Sequence, residues 1–177
     1  MIINEIIETN RLVLRSLNDQ DVSKEYLFWL RDPSVNKYLE IRFSKSIEKH
    51  ELVNFINSMN NSADNLLLGI FLKKNNSHIG NIKLGPIIQE HCRSEIGFLI
   101  GEKTSWGKGY ASEAISALSE YALNTLNLKK ITAGCYEENI GSQRALEKAG
   151  FRLEATIPNH VVFNKKRISS LLFGYQD

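Results

Sequence analysis

Between Ser94 and Ala122 the chain reads SEIGFLIGEKTSWGKGYASEAISALSEYA. An apolar run, Ile96 to Ile100, enters a polar turn that ends in Trp106-Gly107-Lys108-Gly109-Tyr110-Ala111. A helical pattern follows at once: Ala114, Ile115, Leu118, Ala122 and Leu126 recur at helix spacing. A strand, a glycine-rich turn and a helix N-terminus, in that order, make an anion site. The first helical amides have no intrahelical partner and sit at the positive end of the summed peptide dipole. Glycine lets the backbone come close to a phosphate. The segment therefore points to a ligand that carries phosphate or pyrophosphate.

The rest of the chain narrows the setting. Its 177 residues suit one domain spanning 1–177. That length buries about 70% of the unfolded surface, so no disulfide or metal staple is needed. A net charge of +2 provides no basic stripe for nucleic acid. Lys129-Lys130 and Lys165-Lys166-Arg167 read as solvated turn ends. Cys92 and Cys135 form no CxxC, which suits reduced thiols and a cytoplasmic setting, with Cys135 inside a strand as a core residue. The opening MIINEIIETNR carries Glu5 and Glu8 and does not read as a signal peptide. No run approaches the ~20 apolar residues of a membrane span. His50, His78, His91 and His160 lack ligand spacing, so no metal site is expected. His91-Cys92 falls in the loop before Glu95.

Arg11 to Leu17 reads as a first strand. Asn18 or Asp19 is expected to cap a helix carrying Val22, Tyr26, Trp29 and Leu30, which Pro33 ends. Pro33-Ser34-Val35 starts a short turn through Tyr38. Ser44 or Ser46 opens a helix with Leu52, Phe55, Ile56 and Met59 inward, and Asn57 to Asn65 reads as a polar loop. Asn65–Lys73 and His78–Leu84 form an antiparallel hairpin. Then come a strand 95–101, a long helix from about Gly109 to Leu126, a strand 130–136 and a helix Ile140–Ala149. Gly150 suits a left-handed C-cap with Phe151 folding back. His160–Phe163 and Ser169–Tyr175 close the fold. This order predicts a mixed α/β (α+β) domain of six to seven strands and about four helices. The sheet is mostly antiparallel, and the helix between strands 95–101 and 130–136 makes that pair parallel.

GKG alone leaves even odds between a tight turn and a phosphate site. The upstream spacing and the residues after Lys108 exclude a P-loop NTPase, and GxGxxG is absent. A second segment decides: Glu137-Glu138-Asn139-Ile140-Gly141-Ser142-Gln143-Arg144-Ala145-Leu146-Glu147-Lys148-Ala149-Gly150-Phe151. WGKGYA resembles the pyrophosphate loop of the GNAT superfamily of acetyl-CoA-dependent N-acetyltransferases, Q/R-x-x-G-x-G/A. ENIGSQRALEKAGF resembles that family's second signature, N-x-x-S-x-x-x-x-E-K-x-GF. TNRLVLRSLNDQD and EIGFLIG are similar to its Rim-type branch, whose members acetylate protein N-termini, small amines or amino sugars. The resemblance covers nearly the whole chain. Trp106 stands where the family usually has Gln or Arg, and Ser169-Ser170 where an Asp is common.

The resemblance implies that the amides of Trp106, Gly107, Lys108, Gly109, Tyr110, Ala111 and Ser112 hold the CoA pyrophosphate. Phe98, Leu99 and Ile100 would offer main-chain groups to the pantetheine arm as if it were an added strand. The amide of Leu99 or Ile100 would polarise the thioester carbonyl. Asn139 is a good N-cap and, by resemblance, also bonds pantetheine. Many relatives carry a Tyr seven residues after this Asn. Here that position is Leu146, which leaves Ser142 as the candidate acid near the departing thiolate. Glu95, eleven residues before Trp106, is the candidate base. Transfer to the amine is direct, with no covalent enzyme intermediate.

The resemblance puts the acceptor beside residues 26–43, with Trp29, Arg31, Tyr38 and Arg42 as candidate contacts. WLRDPSVNKYLEIRF resembles members that act in amino-sugar and surface-polysaccharide synthesis, where Arg31 or Arg42 would meet a nucleotide diphosphate. The expected partners are acetyl-CoA and a small-molecule amine, a nucleotide-linked amino sugar or a protein N-terminus, with no nucleic acid, membrane or metal. The protein would be a monomer or homodimer. The alternative is a degenerate member that binds CoA as a sensor or interaction module without catalysis.

Overall fold

The computed structural model describes residues 6–44 and 47–176. The order is β1 (Ile7–Glu8), β2 (Leu12–Ser16), α1 (Lys24–Arg31), α2 (Pro33–Asn36), α3 (Lys49–Asn61), β3 (Leu66–Leu72), β4 (His78–Leu84), β5 (Arg93–Ile100), α4 (Tyr110–Asn124), β6 (Lys130–Tyr136), α5 (Ile140–Lys148), β7 (Arg152–Phe163) and β8 (Lys166–Gln176). The strands form one sheet ordered β1-β2-β3-β4-β5-β6-β8-β7. Every neighbouring pair is antiparallel except β5 with β6. The expected architecture is thus present, with one more strand and one more helix than the highest counts expected.

The two sheet faces bury two cores. On one face Leu12, Leu14, Leu68, Ile82 and Ile96 pack against Ile115 and Leu118 of α4 and Leu146 of α5. On the other face Leu67 and Phe71 meet Tyr26, Trp29 and Leu30 of α1 and Leu52 and Ile56 of α3. β3 is buried at every position, because helices cover it on both sides.

Several boundaries differ from expectation for local reasons. Asn18 caps a single 3₁₀ turn, Asp19–Asp21, closed by the Asn18 amide donating to Asp21 Oδ2. Ser23 caps α1 instead, accepting from the Tyr26 amide at 3.1 Å. Asp32 caps α2, where Pro33 takes the first helical position. Helix α3 starts after Glu48, not at Ser44, and Ser46 lies outside the described residues. It runs through Asn57–Asn61, which reads as loop from composition. Phe55 is 44% exposed, because α3 rests on the sheet along the narrow Leu52–Ile56 line. β1 belongs to no expected element, and β7 and β8 are far longer than the expected closing strands. Gly150 has φ +89°, and the Phe151 amide bonds Leu146 O, as a left-handed C-cap requires.

Candidate functional site

β5 pairs with two neighbours in succession. Arg93–Glu95 pair with Lys130–Thr132 of β6, and Ile96–Ile100 pair with Gly80–Leu84 of β4. Beyond Thr132, β6 pairs only with β8. The ladder between Ile96–Ile100 and Ala133–Tyr136 is therefore open. The backbone alternation fixes which groups face the opening. Gly85 N donates to Glu95 O, and Gly101 N donates to Ile79 O, so the odd-numbered residues of β5 bond β4. Leu99 spends its amide there. The amides of Phe98 and Ile100 turn to the opening, which leaves Ile100 of the two expected oxyanion donors. Ile100 O accepts from Trp106 Nε1 at 2.7 Å, so the indole ties the turn to the end of β5.

The helices α4 and α5 follow the C-terminal ends of β5 and β6, so both N-termini border the same crevice. They are finished differently. Asn139 Oδ1 accepts from the Ser142 amide at 3.2 Å and caps α5. Gly109 opens α4 at φ +80° with no capping side chain. Gly107 is also left-handed, at φ +72°. A Cβ on Gly109 would clear its neighbours, so glycine is there for its backbone angle. The amides of Tyr110, Ala111 and Ser112 have no helical acceptor and end in the crevice. Ser112 Oγ turns back to Gly109 O at 2.9 Å.

Residues about a hundred positions away in sequence brace this turn. Arg11 Nη1 donates to Lys108 O at 2.9 Å, while its Nε bonds Glu113 Oε2 at 2.6 Å. Its guanidinium lies 4.6 Å from the Tyr110 ring centroid. Thr9 Oγ1 holds the other Glu113 oxygen at 2.6 Å. The Glu113 carboxyl lies below its ordinary range: burial pushes it up, but the bonds from Thr9 and Arg11 outweigh that.

Glu95 is exposed on the α1–α3 face, and its carboxylate reaches over β6 at Gly134. Among the described residues it has no hydrogen-bond partner. Ser142 lies half-buried in the first turn of α5, which packs on the opposite face. The candidate base and acid thus sit on either side of the open ladder. Asn139 Nδ2 has no protein partner among the described residues. Burial pushes the Cys135 thiol up to about 11, so it stays protonated and unreactive at neutral pH. Cys92 and His91 lie at the far end of β5 from the glycine turn.

On the Glu95 face a second wall forms beside Tyr136. Tyr136 donates to Glu40 Oε1 at 2.7 Å and accepts from Arg42 Nη2 at 3.0 Å. Tyr38 stacks on Phe163 with centroids 5.2 Å apart and donates to Glu138 O at 2.9 Å. Ser170 pairs with Tyr136 across β6 and β8, and His160 Nδ1 lies 3.0 Å from Ser170 Oγ. Arg42 also lines a cavity of about 820 Å³ with Arg31, Lys37, Phe43, Phe163 and Lys165. Trp29 does not. It is 5% exposed and lies against Tyr26 and His78, directly over Gly101, where a Cβ would collide with its ring. Of the four residues expected beside the acceptor, Arg31 and Arg42 line the cavity, Tyr38 braces its wall and Trp29 is core.

Residues 11–152 match the model of the acetyltransferase (GNAT) domain family. The chain belongs to the GNAT acetyltransferase family. N-acetyltransferase p20 of Bacillus licheniformis, whose role is uncharacterised, is 31% identical over 171 residues, covering 96% of this chain and 95% of that protein. A GNAT-family acetyltransferase from Bacillus anthracis superposes with a TM-score of 0.82 at 27% identity, covering 97% of this chain and 98% of the other. The fold is also that of the Vibrio cholerae spermidine N-acetyltransferase, solved with CoA and spermine. There the TM-score is 0.81 at 21% identity, covering 95% and 96% of the two chains. The protein is thus a GNAT-type acyltransferase. Among its described residues no helix is long and apolar enough to cross a membrane.

Proposed function

We propose that this GNAT protein moves an acetyl group from acetyl-CoA directly to a primary amine. The observation that carries the reading is the open ladder between β5 and β6, with the uncapped N-terminus of α4 at its end. The exposed backbone edge of β5 suits an extended amide-bearing arm, and the free amides at Tyr110–Ser112 suit a diphosphate. The groups present therefore fit the CoA part of acetyl-CoA, which supplies the activated thioester when bound.

In this reading the backbone of Trp106 to Ser112 holds the pyrophosphate, and Phe98 to Ile100 align the pantetheine arm. Asn139 Nδ2 adds a donor while its Oδ1 caps α5. The Ile100 amide faces the opening and stabilises the oxyanion as the amine attacks. Glu95 receives the amine's proton, directly or through water, because an amine must be neutral to attack. Ser142, on the other face, passes a proton to the departing thiolate, directly or through water, and regains one from solvent. The Rim-type likeness of the N-terminal strand and of EIGFLIG supports a protein N-terminus or an amino sugar as acceptor. The spermidine enzyme of V. cholerae shows that this fold also serves polyamines.

A thiol-release screen of acetyl-CoA against peptides, polyamines and nucleotide-linked amino sugars tests the reading. Amine-dependent release is expected. CoA binding without release for any amine would leave a binding module instead.

A further inference from the structure

The cavity beside Arg42 has a charge that the reaction does not require. Among the described residues of the lining, Arg31, Lys37, Arg42 and Lys165 stand against Glu48 as the single carboxylate. The family resemblance offers Arg31 or Arg42 as the anion contact, but both are already committed. Arg31 donates through Nε and Nη2 to Ile47 O and lies 3.7 Å from Glu48. Arg42 donates to Leu39 O and Tyr136 Oη and lies 3.7 Å from Glu40.

The uncommitted charges are the lysines. Lys37 Nζ lies 4.8 Å and 5.6 Å from the Tyr38 and Phe163 ring centroids, with no carboxylate partner among the described residues. Lys165 stands at φ +64° in the β7–β8 turn, equally without a carboxylate partner there. The two come from segments far apart in sequence and line the same cavity. Two lysines, each a compact charge with three donors, suit a phosphate rather than a planar carboxylate pair. A cavity of about 820 Å³ is large enough for a substituted phosphate ester. Phe43 and Val162, 67% and 54% exposed, add apolar surface at its wall.

We propose that this cavity holds a phosphate or diphosphate group of the acceptor, so that the amine acetylated here is borne on a phosphate ester. The inference rests on the acetyltransferase reading above. It disfavours a free polyamine, which would bring cations against cations.

The test is a calorimetric titration of inorganic pyrophosphate into protein saturated with CoA, which fills the amides of α4 and leaves the cavity as the anion site. One pyrophosphate per chain is expected to bind, more weakly as salt is added. In Lys37→Glu/Lys165→Glu the affinity should fall tenfold or more, with CoA affinity unchanged. Both lysines are exposed, and single Lys37→Ala and Lys165→Ala variants, each expected to weaken binding severalfold, provide the measurement if the double variant does not fold. No binding to wild-type protein, or equal binding to the variants, overturns the proposal. Failure of CoA itself to bind counts against the acetyltransferase reading. Titration of the bare protein and the lysine variants then still reports on the cavity.

Discussion

Glu95 and His78 show how position sets the use of a titratable side chain. Glu95 is exposed, lies over Gly134 and has no hydrogen-bond partner among the described residues, which suits the base role proposed for it. Glu95→Gln is expected to lower kcat most at low pH, where more of the amine arrives protonated. A pH–rate profile unchanged in shape and height would remove Glu95 from the reaction. His78 is buried among Tyr26, Trp29 and Phe71. Its Nε2 lies 2.9 Å from Gly80 O and 3.0 Å from Asn81 Oδ1, so Nε2 carries the proton. Nδ1 is buried with no partner among the described residues. Burial drives the His78 pKa down, and the bonds to Asn81 and Gly80 only partly offset it. A group with a depressed folded pKa contributes stability above its unfolded pKa and loses it as pH falls. The melting temperature should therefore drop as pH falls below about 6.5, the ordinary histidine value. His78→Gln, which keeps a donor but cannot titrate in this range, should flatten that slope. An equal slope in both proteins contradicts this assignment.

At the scale of elements, the two helices that border the crevice differ at their first residue. Helix α5 is closed by Asn139 and α4 is left open at Gly109. Asn139→Asp separates capping from ligand binding. Aspartate caps as well as asparagine, so stability should change by no more than a few tenths of a kcal/mol. It lacks the Nδ2 donor and adds a negative charge, so acetyl-CoA affinity should fall severalfold. Unchanged affinity would confine Asn139 to the cap. Such elements were legible because their signals are local. The strand Lys130–Tyr136 has the same ends in sequence and structure, and Gly150 marks the end of α5 by its own backbone angle. Strand β7 was not legible in full. Its residues are almost all exposed, and with Pro158 among them they show no buried alternation to read. The start of α1 was misplaced because Asn18 and Ser23 are both good caps, and only the Asp21 reciprocal bond and its ion pair with Arg15 stop the first turn early.

The whole molecule converges on one crevice from groups far apart in sequence. Arg11 braces the turn before α4, and Trp106 ties that turn to β5. Tyr38 fixes the α2 segment to Glu138 at the entrance of α5. The two family motifs foretold the crevice, because each lies within a short stretch of chain. They could not foretell Arg11 on Lys108 or Lys37 and Lys165 lining one cavity, since those arrangements exist only after the sheet and the β7–β8 hairpin are assembled. The same assembly seats Trp29 over Gly101, away from the Arg42 cavity. In the proposed function this architecture presents the α4 amides and the β5 edge to acetyl-CoA. Calorimetric titration of acetyl-CoA into wild-type protein and Gly109→Val tests it most directly. A β-branched residue at φ +80° forces the turn to move, while the buried face of α4 keeps the fold. Wild-type protein should bind one acetyl-CoA, and the variant should bind at least tenfold more weakly, about 1.4 kcal/mol or more. Equal affinity in a folded variant, or no binding to wild-type protein, would rule out this cofactor site.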